Sequence, residues 1–206
     1  MEFLFGININ NYKILMIFWN LFLALVPCLT VYYLTKAVGR KQWGKLGKAQ
    51  WAFVFLFLFW LLTLPNTAYL FTMVRHLVNY CRDFNPYRVC PDRTWMVMFF
   101  FIYALAGVPI FYYAIHKMTQ VFKTLFSKRS AVILPVVVIP LTAIGVMFGL
   151  FERYNSWDVL TRADEIMSTL FSYFTNGNHL LNLFAFTLSF YLIYYSADYF
   201  LCKKKK

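Results

Sequence analysis

Five stretches of this chain, Ile14 to Thr35, Ala49 to Val74, Thr94 to His116, Ser130 to Phe151 and Ile166 to Ala197, contain no Asp, Glu, Lys or Arg. A helix rises 1.5 Å per residue and the hydrocarbon core of a bilayer is ~30 Å thick, so ~20 uncharged, mostly apolar residues cross it once. Each stretch reaches that length. The composition leaves no alternative solvent: 61% of the 206 residues are hydrophobic, 22% are aromatic and only 14% are charged, whereas soluble domains run near half apolar and a quarter charged. The expected fold class is all-α, a polytopic membrane helical bundle of about five transmembrane helices in one domain, with spans near 14–35, 51–73, 95–116, 130–151 and 180–201.

The fifth stretch is long enough to suggest two crossings, but Asn176-Gly177-Asn178-His179 interrupts it. Thr161-Arg162-Ala163-Asp164 matches a capping box with Thr161 as the cap, and Gly177 suits a left-handed helix terminus. The segment between, about 162–175, is then ~21 Å long and too short to span. Ile166, Met167, Leu170, Phe171 and Phe174 share one face, as in an interfacial or re-entrant helix. Pro27, Pro65, Pro109, Pro135 and Pro140 lie within four of the five spans and predict kinks. No internal repeat is visible, and five spans fit poorly with two inverted halves.

Charge placement excludes one function class and orients the chain. A net charge of +12 can signal nucleic acid, yet the basic residues fall between and after the apolar runs and form no continuous stripe, so no nucleic-acid partner is expected. Lys36, Arg40, Lys41, Lys45, Lys48, Lys117, Lys123, Lys128, Arg129 and the tail Lys203 to Lys206 fall on one side; Lys13, Arg75, Arg82, Arg88, Arg93, Arg153 and Arg162 fall on the other. The positive-inside rule puts the first group in the cytoplasm, giving a multi-pass protein of a bacterial inner (plasma) membrane with the amino terminus outside and the carboxyl terminus inside. The basic inner face should attract anionic lipid; no protein partner can be named. The first residues lack a positive region and a small-residue cleavage site, so the first span is expected to be a retained anchor.

Polarity concentrates at the outer end. If the second span continues past Pro65, Asn66, Tyr69, Thr72 and His76 repeat at helical spacing and line one face, with Arg75 beside them. A polar stripe should turn from lipid toward the bundle, where it meets Arg153, Asn155, Ser156 and Asp158 after the fourth span and Asn20 in the first. These ten residues form the candidate polar pocket. The plainer reading is interhelical hydrogen bonding and loop capping. Cys81 and Cys90 share an outer loop and could pair in an oxidising compartment, stabilising by ~2–3 kcal/mol. Cys28 and Cys202 read as lipid-side or inner-edge residues. Zinc spacing is absent, so neither metal nor cofactor is expected, although His76, Cys81, Cys90 and His179 are conceivable ligands. His116 reads as interfacial, and Asp198, close to the lysine tail, as paired with it or snorkelling.

Leu64-Pro65-Asn66-x-x-Tyr69-x-x-Thr72-x-x-x-His76-Leu77, Arg153-Tyr154-Asn155-Ser156-Trp157-Asp158 and Trp19-Asn20-Leu21 together resemble a family of bacterial multi-spanning proteins catalogued as domain of unknown function 1361. The resemblance covers about residues 14–200 and implies a polytopic membrane protein with no activity to transfer. It also implies two departures: the family often carries Asp where Met73 stands, and Trp-Tyr-Asp where Trp95-Met96-Val97 stands, so two carboxylates are missing here. Three functional classes are compatible with these residues. The first is a noncatalytic binding or envelope-assembly protein. The second is a membrane enzyme acting on a lipid or other amphipathic substrate, with His76 as base or acid, Asp158 as its partner, and Arg75 or Arg153 holding an anion. The third, a small-molecule transporter, is disfavoured by spans without charged interior residues.

Overall fold

The computed structural model describes residues 8–9, 12–39, 48–77 and 94–202. After a two-residue antiparallel pairing of Asn8–Ile9 with Tyr12–Lys13, these residues are helical. The first helix, α1, is Ile14–Gly39; α2 is Lys48–Thr63 and α3 Pro65–Tyr69, continued by a 3₁₀ segment Leu70–Leu77; α4 is Trp95–Leu125; α5 is Lys128–Met147, widening into a π turn Phe148–Glu152; α6 is Asp158–Thr161, α7 Ala163–Thr175 and α8 Gly177–Cys202. Five segments, Leu15–Ala37, Trp51–Leu77, Trp95–Leu125, Lys128–Glu152 and Gly177–Leu201, are long and apolar enough to cross a membrane. The apolar side chains agree with that solvent: Val132 is 70% exposed, Phe55 69%, Leu181 66% and Phe18 63%, exposures that are costly in water and ordinary in lipid.

Because lipid is as apolar as leucine, close packing and polar bonds hold the bundle, with little help from transfer out of water. The centre is α4, which packs against α1, the 3₁₀ segment, α5 and α8. Gly107 on α4 leaves room for Phe71 and Leu70, and Gly145 on α5 receives the ring of Pro65. Trp60, Phe100, Phe111, Phe190 and Ile139 are fully buried among these helices. Hydroxyls inside the spans are satisfied locally: Thr30, Thr63, Thr119 and Thr142 donate to the carbonyls four residues back, at 3.0, 2.8, 2.9 and 2.8 Å. Such a bond removes the penalty of a bare hydroxyl in hydrocarbon. Between helices, the Tyr103 hydroxyl donates to the Ile17 carbonyl at 3.0 Å.

Several local expectations change. The helix α4 continues two turns beyond residue 116, carrying Lys117 and Lys123 with it, and turns into α5 through Ser127, whose hydroxyl accepts from the Ser130 N–H at 3.1 Å. Thr161 does not cap α7. It closes the one-turn helix α6, where the Arg162 N–H bonds the Asp158 carbonyl at 2.7 Å, and a residue with helical backbone cannot take the extended cap conformation. Arg162 precedes α7 without a side-chain cap and instead pairs with Glu165. Nor is Gly177 a left-handed terminus. Extended Asn176 makes the break, and its Oδ1 accepts from the Asn178 N–H at 3.0 Å, so the asparagine caps α8 and glycine opens it. On α7, Met167, Phe171 and Phe174 are exposed as an interfacial face requires, while Ile166 points into the bundle. Cys28 faces α4, its thiol donating to the Ile110 carbonyl at 3.4 Å, and not lipid. Cys81 and Cys90 lie outside the described residues.

Candidate functional site

Two irregular backbones meet at the end of the bundle where the second and fourth spans finish. Pro65 removes one N–H from the ladder of the second span, and the chain then tightens into eight residues of 3₁₀ helix, an unusual length for that geometry. The fourth span widens at Phe148–Glu152, and Arg153 sits next in the left-handed region at φ 60°, alone among the described non-glycine residues. A left-handed arginine costs ~1–2 kcal/mol, and strain of this kind tends to gather at functional sites. Bonds in the next turn of chain hold it there. The Asp158 carboxylate accepts from the Asn155 N–H at 2.6 Å and from its side-chain amide at 3.4 Å. The Ser156 hydroxyl donates to the Leu62 carbonyl at 2.9 Å, supplying a donor beside the proline.

Between α1, α2–α3, α5 and this loop lies a cavity of about 880 Å³, in the upper part of the range for small-molecule sites. Its walls include Met16, Trp19, Leu23, Leu61, Leu141, Ile144 and Phe148; its polar groups are Asn20, Asn66, Tyr69, Arg75, His76, Arg153, Asn155 and Ser156. Eight of the ten residues singled out from sequence therefore line one space. Thr72 and Asp158 are not in the lining. The Thr72 hydroxyl donates to the Tyr69 carbonyl at 2.7 Å, and Asp158 holds the loop. The 3₁₀ period also regroups the stripe: with three residues per turn, Tyr69, Thr72 and Arg75 fall in one row, and Arg75 Nη2 donates to the Tyr69 hydroxyl at 2.7 Å. His76 belongs to the row of Leu70 and Met73 and stacks on Phe100 with ring centroids 5.7 Å apart.

Among the described lining residues there is no Asp or Glu. The carboxylates nearby are engaged or turned away: Asp158 on Asn155, Glu165 on Arg162, and Glu152 exposed at the end of the π turn. The cavity is thus amphipathic with a cationic polar end. No group of three His, Cys, Asp or Glu side chains among the described residues is arranged to hold a metal.

Two polar groupings escaped the sequence reading. At the opposite end of the bundle, the Tyr112 hydroxyl donates to Asp198 Oδ1 at 3.0 Å and lies 3.0 Å from His116 Nδ1; His116 Nδ1 is 3.4 Å from the same carboxylate oxygen. Tyr112 and His116 are one helical turn apart, a spacing visible in the sequence; the arrival of Asp198 from α8 is not. Beside the π turn, Tyr173 is fully buried and its ring lies 5.0 Å from that of His179. The Tyr173 hydroxyl and His179 Nδ1 are buried without hydrogen-bond partners among the described residues. Burial, reinforced by Glu152 and Tyr154, pushes the Tyr173 phenol up to about 12.

A family model described as protein of unknown function (DUF1361) matches residues 19–194, and the chain belongs to that family. The matched region takes in every polar lining residue of the cavity. No curated protein and no solved structure matches the chain.

Proposed function

Taking membership of this family as the premise, we propose that the protein is a noncatalytic binding protein of the bacterial inner membrane that holds an amphipathic molecule in the cavity between its first, second and fourth spans. The observation that carries this reading is the division of the lining: aliphatic and aromatic walls from Met16, Leu23, Leu61, Leu141 and Ile144, closed at one end by Asn20, Asn66, Arg75, His76, Arg153 and Asn155. Apolar walls with a few convergent polar groups are the usual make-up of a small-molecule site. The enzyme reading is weaker, because the carboxylate it assigned to His76 is bonded to Asn155 and no described acid lines the cavity. The positive-inside distribution supports an outward-facing cavity and a cytoplasmic carboxyl terminus. Exposed Lys123, Lys128 and Arg129 support contact between the inner face and anionic lipid.

The test is retention of ligand. Protein purified in a nonionic detergent is extracted and its bound amphiphiles are quantified by mass spectrometry, beside an Ile144→Trp variant that fills the cavity. The expected result is a several-fold loss of a stoichiometric amphiphile from the variant, with normal accumulation and unfolding. Equal retention by both proteins would overturn the reading. Reporter fusions at each terminus test the orientation, with a cytoplasmic reporter active only at the carboxyl end.

A further inference from the structure

We propose that the polar end of this cavity is a phosphate site, and that its ligand is a lipid whose phosphate head lies between Arg75 and Arg153. The inference rests on the reading that the cavity holds an amphipathic molecule, and it names the head group. Three independent features carry it.

The first is charge. Two guanidinium groups reach one space whose described lining contains no carboxylate. Neither arginine forms an ion pair among the described residues. Arg162, on the same side of the bundle, shows the ordinary alternative, since it is paired with Glu165 and lies over the Tyr154 ring at 4.9 Å. A cation left unpaired against apolar walls is poorly compensated, and an oxyanion supplies what is missing.

The second is preparation of the donors. One Arg75 N–H is held by the Tyr69 hydroxyl, with the guanidinium 5.5 Å from that ring. A guanidinium has five donors in a planar fork, so bracing one side leaves the other for two-point bonding to phosphate oxygens. Asn20, Asn66 and Asn155 bring amide groups to the same lining.

The third is the backbone. The π turn and the left-handed residue place Arg153 in the lining, and the bonds of Asp158 and Ser156 hold the loop in that shape. A solvated surface arginine would need none of this. Asn would occupy a left-handed position more readily than Arg, so retaining Arg there points to a use for its charge.

The experiment is a binding series on the purified full chain in nonionic detergent. The probes are a short-chain phosphatidic acid, a diacylglycerol with the same chains, and inorganic phosphate, with affinity read from ligand-dependent thermal unfolding. The expected result is that phosphatidic acid binds about tenfold more tightly than diacylglycerol, the difference that one charge-assisted contact provides, while inorganic phosphate gives no saturable shift. Arg75→Gln and Arg153→Asn should each remove most of that preference. The asparagine keeps the left-handed backbone, so its loss of preference cannot be put down to unfolding of the loop. Arg162→Gln, an equal change in net charge at a paired arginine, should leave the preference intact. Equal binding of phosphatidic acid and diacylglycerol would overturn the phosphate inference and leave the amphipathic reading standing. Binding of neither would overturn the reading beneath it. Saturable binding of inorganic phosphate as tight as that of the lipid would overturn the lipid assignment.

Discussion

The contact between Gly145 and Pro65 gives a sharp test of how the fourth span is packed. A Cβ added at Gly145 would lie 2.9 Å from Pro65 Cβ and still closer to its Cγ. The pyrrolidine ring cannot rotate away, and it sits at the kink between α2 and α3. Replacing an interior helical glycine by alanine normally stabilises by about 1 kcal/mol, whereas forcing a methyl into a filled site costs about 1–3 kcal/mol. The clash should win, leaving Gly145→Ala less stable by about 0–2 kcal/mol. Gly177→Ala is the control, because nothing lies within 4 Å of its added Cβ; it should be neutral or stabilised by up to about 1 kcal/mol. Thermal unfolding in one detergent, followed by tryptophan emission, measures both. Because Gly145 and Pro65 both line the cavity, the first variant should also bind its amphiphile less well. A Gly145→Ala protein as stable as Gly177→Ala would refute this reasoning, since it would mean that the second and fourth spans do not meet at these residues.

Three further outcomes depend on single polar groups. Ser156→Ala removes the donor to the Leu62 carbonyl and should cost about 1 kcal/mol, with weaker amphiphile binding in the mass-spectrometric assay. Tyr173→Phe deletes a buried hydroxyl that has no partner among the described residues, so it should be neutral or slightly stabilising in thermal unfolding; a loss above about 1 kcal/mol would mean the hydroxyl is bonded after all. Asp198→Ala leaves Tyr112 and His116 without their shared acceptor and should destabilise by about 1–3 kcal/mol in the same assay, whereas Asp198→Asn should show only part of that loss because an amide oxygen still accepts from Tyr112.

The spans are legible in the sequence and the site only half so, because the two depend on different things. A span declares itself by the absence of charge over one membrane thickness, and the environment enforces that rule residue by residue. The stripe from Asn66 to His76, drawn with an α-helical period, gathers the right neighbourhood. It does not anticipate that the chain after Tyr69 winds at three residues per turn, which joins Arg75 to Tyr69 and sends His76 against Phe100. Asp158 looks like chemistry because carboxylates are scarce in this chain. Its partner is a backbone N–H only three residues away, a local bond that the pattern Asn155-x-x-Asp158 already permits. Thr161 fails as a cap for a related reason: the matching pattern is present, but a preceding turn of helix has already claimed the residue. The Tyr112–His116–Asp198 grouping depends on which face of α8 meets α4, and neither helix alone encodes that choice.

The turn Phe148–Glu152 has a topological consequence. Its hydrogen bonds reach one residue farther than those of the helix before it, so it stores a single surplus residue, the equivalent of a one-position insertion. Remove any one residue there and ordinary winding would resume, turning the rest of the chain by about 100° around the axis. Arg153 would then leave the chamber and Ser156 would lose its reach to Leu62. The geometry of the chamber's mouth is in this sense a matter of counting: a chain one residue shorter could keep every side chain named above and still be unable to close it.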